Sequence, residues 1–207
     1  MFVDIHTHRK TGNSGTAIYN LARGEEPITG LFSFGIHPWQ SEQYSDGAAL
    51  CLLDGISGNK FFVAVGEIGL DRACSVPLEI QRELFEIQLN WADSHRKPAI
   101  IHCVKSYSDI LQILKRRAHT APLIMHAYRA DKHIAKQLSR YNTYFSLGIR
   151  ELSHPDAAEI PLKRLFLVTD DSGASIEETY VRASAIFNTD IVQLQQAIQQ
   201  NFDLVFG

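Results

Sequence analysis

The chain has 207 residues, 45% of them hydrophobic and 21% charged, with a formal net charge of −3. That size and balance fit a globular chain of one large or two small domains and exclude a globally basic surface, so a polyanionic partner has to be held locally or through cations. Three cysteines, Cys51, Cys74 and Cys103, with no C-x-x-C spacing give no disulfide framework and point to a reducing compartment. The N-terminus lacks a signal-peptide pattern and no apolar run approaches ~18 residues, so the expectation is a cytoplasmic chain without a membrane partner. None of this bears on oligomeric state.

The first predicted strand, "MFVDIHT", alternates apolar residues with Asp4, His6 and, one step beyond, His8. Side chains two apart on a strand share a face, so these three point one way. If that way is inward, they need partners, because buried polar groups are rarely left unpaired. "TAIYNL" is a short candidate strand whose direction and pairing stay open, since a parallel return ordinarily takes a dozen residues or more. "GLFSFGIHP" and "NKFFVAVGEIGL" follow as strands. "VPLEIQRELFEIQLNWADSHRK" has helical spacing, with Pro77 suited to a first turn. The strand "KPAIIHCV" leads to the helix "SYSDILQILKRRAH", acidic at its start and basic at its end. "APLIMHAY", "YNTYFSLGI" and "LKRLFLVTD" read as further strands, and "DKHIAKQLSRY", "SIEETYVRASAIF" and "TDIVQLQQAIQQNFDLVF" as further helices.

Strands alternating with helices of this length build parallel sheets from βαβ units. Seven such strands predict an α/β fold, a TIM-like (β/α) barrel occupying 1–207 as a single domain, with a doubly wound sheet as the alternative. A typical barrel has about 250 residues; here the shortening falls between the first and third strands.

Position is the informative property of the histidines. His6, His8, His37, His102 and His126 fall at the C-terminal ends of predicted strands, as do Glu67 of "AVGEIG" and Asp170 of "LVTDD". His95, His119, His133 and His154 fall in helices or loops and read as surface residues. In a parallel α/β fold the strand C-termini form one rim, which carries the functional site. Any one of these groups alone reads as a hydrogen-bonded core residue, a buried ion pair or, for Asp170, a helix N-cap. Together they make that reading costly, because many buried ionisable groups on one rim need a cation among them. Imidazoles and carboxylates without thiolate suit Zn²⁺, Mn²⁺, Fe²⁺ or Co²⁺, with Mg²⁺ less at home. A bridging carboxylate makes a two-ion site, with ions about 3.5–4 Å apart, the natural arrangement for hydrolysis.

The ordered set "DIHTH", "FGIHPW", "VGEIGLD", "IHC", "MHAY", "LVTDD" and "NFDLVFG" resembles the TatD-type metal-dependent hydrolases of the amidohydrolase superfamily, nearly end to end. The resemblance implies a TIM-like barrel and two divalent metal ions held by His6, His8, Glu67, His102, His126 and Asp170. It also implies phosphoester hydrolysis, classically trimming of DNA, with single-stranded DNA as a candidate partner and His37 beside the substrate rather than on metal. The chain departs from the family in carrying Val168 where E-T-D is common, "HAYRA" where "HCFSG" is usual, and Lys105 where an arginine often stands. Under this reading a metal-activated water attacks the ester, Asp170 accepts its proton, and Glu67 bridges or anchors the ions. Asp4 either orients a ligand imidazole or caps polar groups at the strand ends. Lys105 and Arg129 are candidate phosphate contacts or solvated surface charges, and Trp39 is the one aromatic placed on the rim. The alternatives are a two-metal amidohydrolase acting on C–N bonds, which Glu67 in place of a bridging lysine disfavours, and a barrel that keeps metal without catalysis.

Overall fold

Eight short runs rich in β-branched and aromatic residues form strands in this computed structural model, which describes residues 1–10, 15–117 and 119–207. They are β1 (Phe2–Thr7), β2 (Gly15–Asn20), β3 (Phe32–Phe34), β4 (Phe62–Asp71), β5 (Ala99–Val104), β6 (Leu123–Met125), β7 (Thr143–Leu147) and β8 (Leu165–Leu167). Each pairs in parallel with the next, in sequence order. Helices α1 (Asp46–Ile56), α2 (Leu78–Ser94), α3 (Tyr107–Lys115), α4 (Lys132–Leu138), α5 (Ile176–Ile186) and α6 (Ile191–Phe206) complete a TIM-like barrel. Strands covered on both faces read as continuous apolar runs, and nine of the ten β4 residues are buried. Phe32 and Phe62 stack at 5.6 Å within the core. No helix among the described residues is long and apolar enough to cross a membrane.

The doubtful "TAIYNL" segment is a true parallel strand between β1 and β3. The expected shortening is equally visible: residues 21–31, which join β2 to β3, form turns and bends without a helix. The sequence reading missed α1. Its segment DGAALCLLDGI holds Gly47 and Gly55 and buries only Ala49 and Leu53, so glycine dilutes both propensity and pattern. The helix is nonetheless started by Ser45, whose side chain accepts the Ala48 N–H. α2 begins one residue after Pro77, which serves as its N-cap. α3 ends at Lys115, before the basic run is complete; Ala118 of that predicted helix lies outside the described residues. One surface assignment is corrected. The His119 side chain is buried, with Nδ1 3.6 Å from Asp93 Oδ1, because the chain leaving α3 folds back over the end of α2.

The barrel closes with few hydrogen bonds. β1 and β8 share no ladder; a single parallel bridge, Thr7 to Asp170, joins them, with the Asp170 N–H donating to the His6 carbonyl at 3.0 Å. Side chains span the rest of this seam. The Asp4 carboxylate accepts the Thr169 N–H at 3.1 Å and the Thr169 hydroxyl at 2.7 Å. Lower down, the buried Tyr180 hydroxyl of α5 takes the Val3 N–H at 3.2 Å and reaches the Val3 carbonyl at 3.3 Å. A strand edge that finds no neighbouring strand is thereby satisfied by a phenol.

Tyr180→Phe therefore leaves both Val3 backbone groups unpaired in a dry place. We expect it to lower unfolding free energy by about 1–3 kcal/mol, read from urea denaturation with an unchanged m-value. A loss within error of zero would show that the seam does not need this hydroxyl.

Candidate metal centre

Seven side chains from six strand ends meet at the C-terminal mouth. His6 lies next to the end of β1 and His8 just past it, His37 follows β3, Glu67 lies in β4, His102 in β5, His126 just past β6 and Asp170 just past β8. His6 Nε2 lies 3.6 Å from Glu67 Oε2 and 3.7 Å from Asp170 Oδ1. His8 Nε2 and His126 Nε2 approach Asp170 at 3.4 and 3.5 Å. His102 Nδ1 is hydrogen-bonded to Glu67 Oε1 at 2.8 Å, and His37 Nε2 lies 4.0 Å from the same oxygen. The structure thus brings together every strand-end histidine and acid that the sequence singled out.

Local backbone chemistry makes this possible. Glu67 sits between two glycines that nothing larger can replace. A Cβ on Gly66 would lie 2.6 Å from the Ile100 Cβ, and one on Gly69 would lie 2.0 Å from the His102 carbonyl oxygen. Gly69 also has φ +147°, open chiefly to glycine. "GEIGLD" thus draws β4 tightly onto β5, which sets Glu67 against His102. Asp170 has φ +52°. Aspartate tolerates this left-handed conformation better than most residues, so one residue both turns the chain out of the barrel and supplies a carboxylate.

The electrostatics expose a shortage of positive charge. His6 is fully buried, and neither ring nitrogen has a hydrogen-bond partner. Burial pulls its pKa down to about 3, leaving a neutral imidazole with an unused lone pair. His126 is pushed the other way: burial disfavours its charge, but the Glu67 and Asp170 carboxylates outweigh that and raise it to about 9. Glu67 and Asp170 are themselves held far below the usual carboxylate range; burial opposes this, and the surrounding imidazoles overcome it. Two carboxylates too tightly grouped for solvent to neutralise thus draw a proton onto His126.

A cation fits where those charges meet. Three sets of donor atoms lie within 4.8 Å of one another: His6, His126 and Asp170; His6, His8 and Glu67; and His37, Glu67 and His102. Glu67 belongs to two of these sets, so its carboxylate can face two ions; in the set with His102, His37 carries its proton on Nε2, which leaves Glu67 and His102 as the donors. Imidazole nitrogen with carboxylate oxygen is a donor set for first-row divalent metals, and the orphaned His6 nitrogens fit the same conclusion.

Other predicted residues find other places. Asp4 lies behind the mouth at the barrel seam, where it also accepts the His6 backbone N–H at 3.3 Å; it makes no hydrogen bond to the His6 ring. Lys105 is exposed and does not line the cavity into which the cluster opens. Arg129 donates through Nε to Glu151 at 2.7 Å and likewise stands outside that cavity. The cavity measures about 390 Å³, and its cationic wall residue is instead Arg23.

The sequence reading also overlooked Asp71. Its Oδ2 lies 3.1 Å from His102 Nε2 and accepts the Trp39 indole N–H at 2.7 Å. The signal was present: Glu67 and Asp71 are four apart on one strand and share a face. Two carboxylates raise the His102 pKa against the effect of burial. His37 accepts the Trp39 backbone N–H at Nδ1 (3.3 Å), so its neutral ring carries a proton on Nε2, pointing toward Glu67.

A parallel (β/α) barrel with imidazoles and carboxylates gathered at its strand C-termini defines a metal-site barrel. The sequence model of the TatD related DNase family matches residues 5–207, and the chain belongs to that family. Two relatives narrow the comparison. A human 3'-5' RNA nuclease, TATDN2, is 33% identical over 149 residues, which cover 67% of this chain and 19% of that protein. An uncharacterized metal-dependent hydrolase of Bacillus subtilis, YabD, is 30% identical over 146 residues, covering 67% of this chain and 57% of its own length. The chain therefore spans only part of the length of either relative. The crystal structure of YJJV, a TatD homologue from Escherichia coli, superposes with a TM-score of 0.83 at 21% identity, covering 99% of this chain and 97% of that one.

His126 sets a pH dependence in the metal-free protein. A histidine whose pKa rises on folding, here from 6.5 to about 9, lends stability that is complete below 6.5 and lost as pH climbs through 9. His6 acts oppositely: its pKa falls to about 3, so its share is complete above 6.5 and is lost as pH drops toward 3. We expect the urea midpoint of metal-free protein to fall between pH 6.5 and 9, and His126→Asn to flatten that fall. An identical slope in the variant would show that His126 carries no extra proton.

Proposed function

We propose that the chain, acting through residues 1–207 as a single domain, is a divalent-metal-dependent hydrolase that cleaves phosphodiester bonds in nucleic acid. The observation carrying this reading is His6: a fully buried imidazole with two unpartnered nitrogens, 3.6–3.7 Å from two carboxylates, is arranged for an ion. The family match and the nuclease name of the human relative support the choice of bond and substrate.

His6, His8, Glu67, His102, His126 and Asp170 would hold two divalent ions, Zn²⁺, Mn²⁺ or Mg²⁺, with Glu67 shared between them. Bound there, such ions supply Lewis acidity, ease deprotonation of water and neutralise phosphate oxygens. The chain's own residues do the rest. The Asp170 carboxylate, kept ionised by His126 and His8, accepts the proton of the attacking water. Asp71 accepts the His102 Nε2–H and so leaves Nδ1 facing Glu67. His37 Nε2–H points into the mouth as a donor for a substrate oxygen, a role suited to an imidazole that burial keeps neutral, with its pKa near 4. Asp4 anchors the strand ends that carry His6 and Asp170. Phosphate contacts by Lys105 would need its exposed side chain to swing inward, and those by Arg129 would compete with Glu151. The three free thiols fit a reducing, cytoplasmic setting.

His6→Ala combined with His8→Ala is expected to lower bound metal, measured by elemental analysis, and to abolish cleavage of a short single-stranded oligonucleotide. Asp170→Asn is expected to reduce kcat by about 10²–10⁴-fold, the usual contribution of a positioned proton acceptor. Metal loss with cleavage unchanged would refute the mechanism; metal retained with no turnover of any ester would identify a scaffold.

A further inference from the structure

One stretch of the cavity wall, formed by Trp39 and Arg23, has no part in the chemistry above. The 3₁₀ helix Pro38–Gln43 places Trp39 there with 60% of its surface exposed. An indole so exposed is ordinarily free to turn; this one is fixed. Its N–H donates to the buried Asp71 carboxylate at 2.7 Å, and its ring meets the His37 ring edge-on, centroids 4.6 Å apart at 79°. With the N–H consumed, what Trp39 offers a ligand is a flat apolar face about one ring from the mouth, its centroid 6.0 Å from that of His102. Arg23, on the helix-free crossover between β2 and β3, lines the same cavity. It is tied to the Trp39 segment by a hydrogen bond to Gln43 (3.3 Å) and by its guanidinium lying 4.8 Å over the Tyr44 ring. Both of these partners are uncharged, so among the described residues no carboxylate neutralises Arg23 and its charge is available to a ligand.

We propose that Trp39 and Arg23 form a single-strand subsite: a nucleobase stacks on the Trp39 face while Arg23 contacts a neighbouring phosphate. This rests on the nucleic-acid reading of the site and adds which chain elements recognise the strand. Every base has a π-face, whereas donors and acceptors differ between bases, so a platform with its N–H already spent grips any base. The subsite is therefore indifferent to sequence and selective for unpaired strands, since a duplex hides its base faces. The carboxylate that fixes Trp39 also holds His102, so platform and metal centre share one rigid support.

The first test needs no catalysis. Oligothymidylate of five residues is titrated into metal-free protein while tryptophan emission is recorded; Trp91, buried and bonded to Asp54, provides a constant background. Saturable quenching is expected, weakened by Arg23→Ala. In metal-loaded enzyme, Trp39→Leu is expected to raise KM for the same oligonucleotide about 5- to 150-fold, the equivalent of one lost base stack. Trp39→Phe, which keeps a flat face, should stay within about threefold of wild type on the same energy scale. Arg23→Ala should reduce the salt dependence of KM by roughly one phosphate contact. Emission unmoved by the oligonucleotide, or an unchanged KM in Trp39→Leu, overturns the subsite. Failure of the nuclease reading looks different: metal-loaded wild type cleaves no oligonucleotide, while quenching still reports whether the wall binds a strand.

Discussion

Everything at the mouth of this barrel depends on two carboxylates held among imidazoles, the buried Glu67 and the half-buried Asp170. Negative charge in such a place is costly unless matched. The cluster matches it by drawing a proton onto His126 while leaving His6 neutral and unpartnered. Protons and divalent ions compete for the same lone pairs, so the charge arrangement that raises His126 is also the one that attracts a metal. The same competition ties metal affinity to pH.

Holding those carboxylates in place is a task for the barrel's weakest joint and its tightest one. Asp170 hangs on the seam between β8 and β1, where a single bridge and the Asp4–Thr169 contacts replace a hydrogen-bonded ladder. Glu67 stands at the opposite extreme, on a strand drawn so close to β5 that Gly66 and Gly69 admit no side chain. A mouth assembled from one loose and one rigid edge needs something that ties the two together. His6 and His126 do so sterically, their rings 4.2 Å apart, and an ion shared with the acids would do so more strongly.

The shortened region shapes the other wall. Because residues 21–31 cross from β2 to β3 without a helix, Arg23 can lie against Gln43 and Tyr44 rather than behind helical cover. The helix-free crossover leaves one side of the cavity open beside the cluster of histidines and acids. Val168, two residues before Asp170, is fully buried in the core and leaves Asp170 as the carboxylate past the end of β8.

Strand periodicity and residue type were enough to place His6, His8, His37, Glu67, His102, His126 and Asp170 on one rim, because alternation and strand direction are local properties that a parallel fold converts into a shared surface. The barrel was legible for the same reason: continuous apolar strands separated by helical spacing leave few alternatives. Local patterns could not reveal α1, whose glycines blur its amphipathic face, or the parallel sense of β2, which depends on where β1 and β3 lie. Nor could they show that His119 is buried, that Arg129 turns to Glu151, that Arg23 takes the cavity wall, or that Asp71 grips both His102 and Trp39. These are contacts between residues many positions apart, and only the closed barrel brings them within hydrogen-bonding range. The sequence by itself determined which chemical groups gather at the mouth; the tertiary structure decided which touch and which remain unpartnered, because contact depends on the closing of the chain.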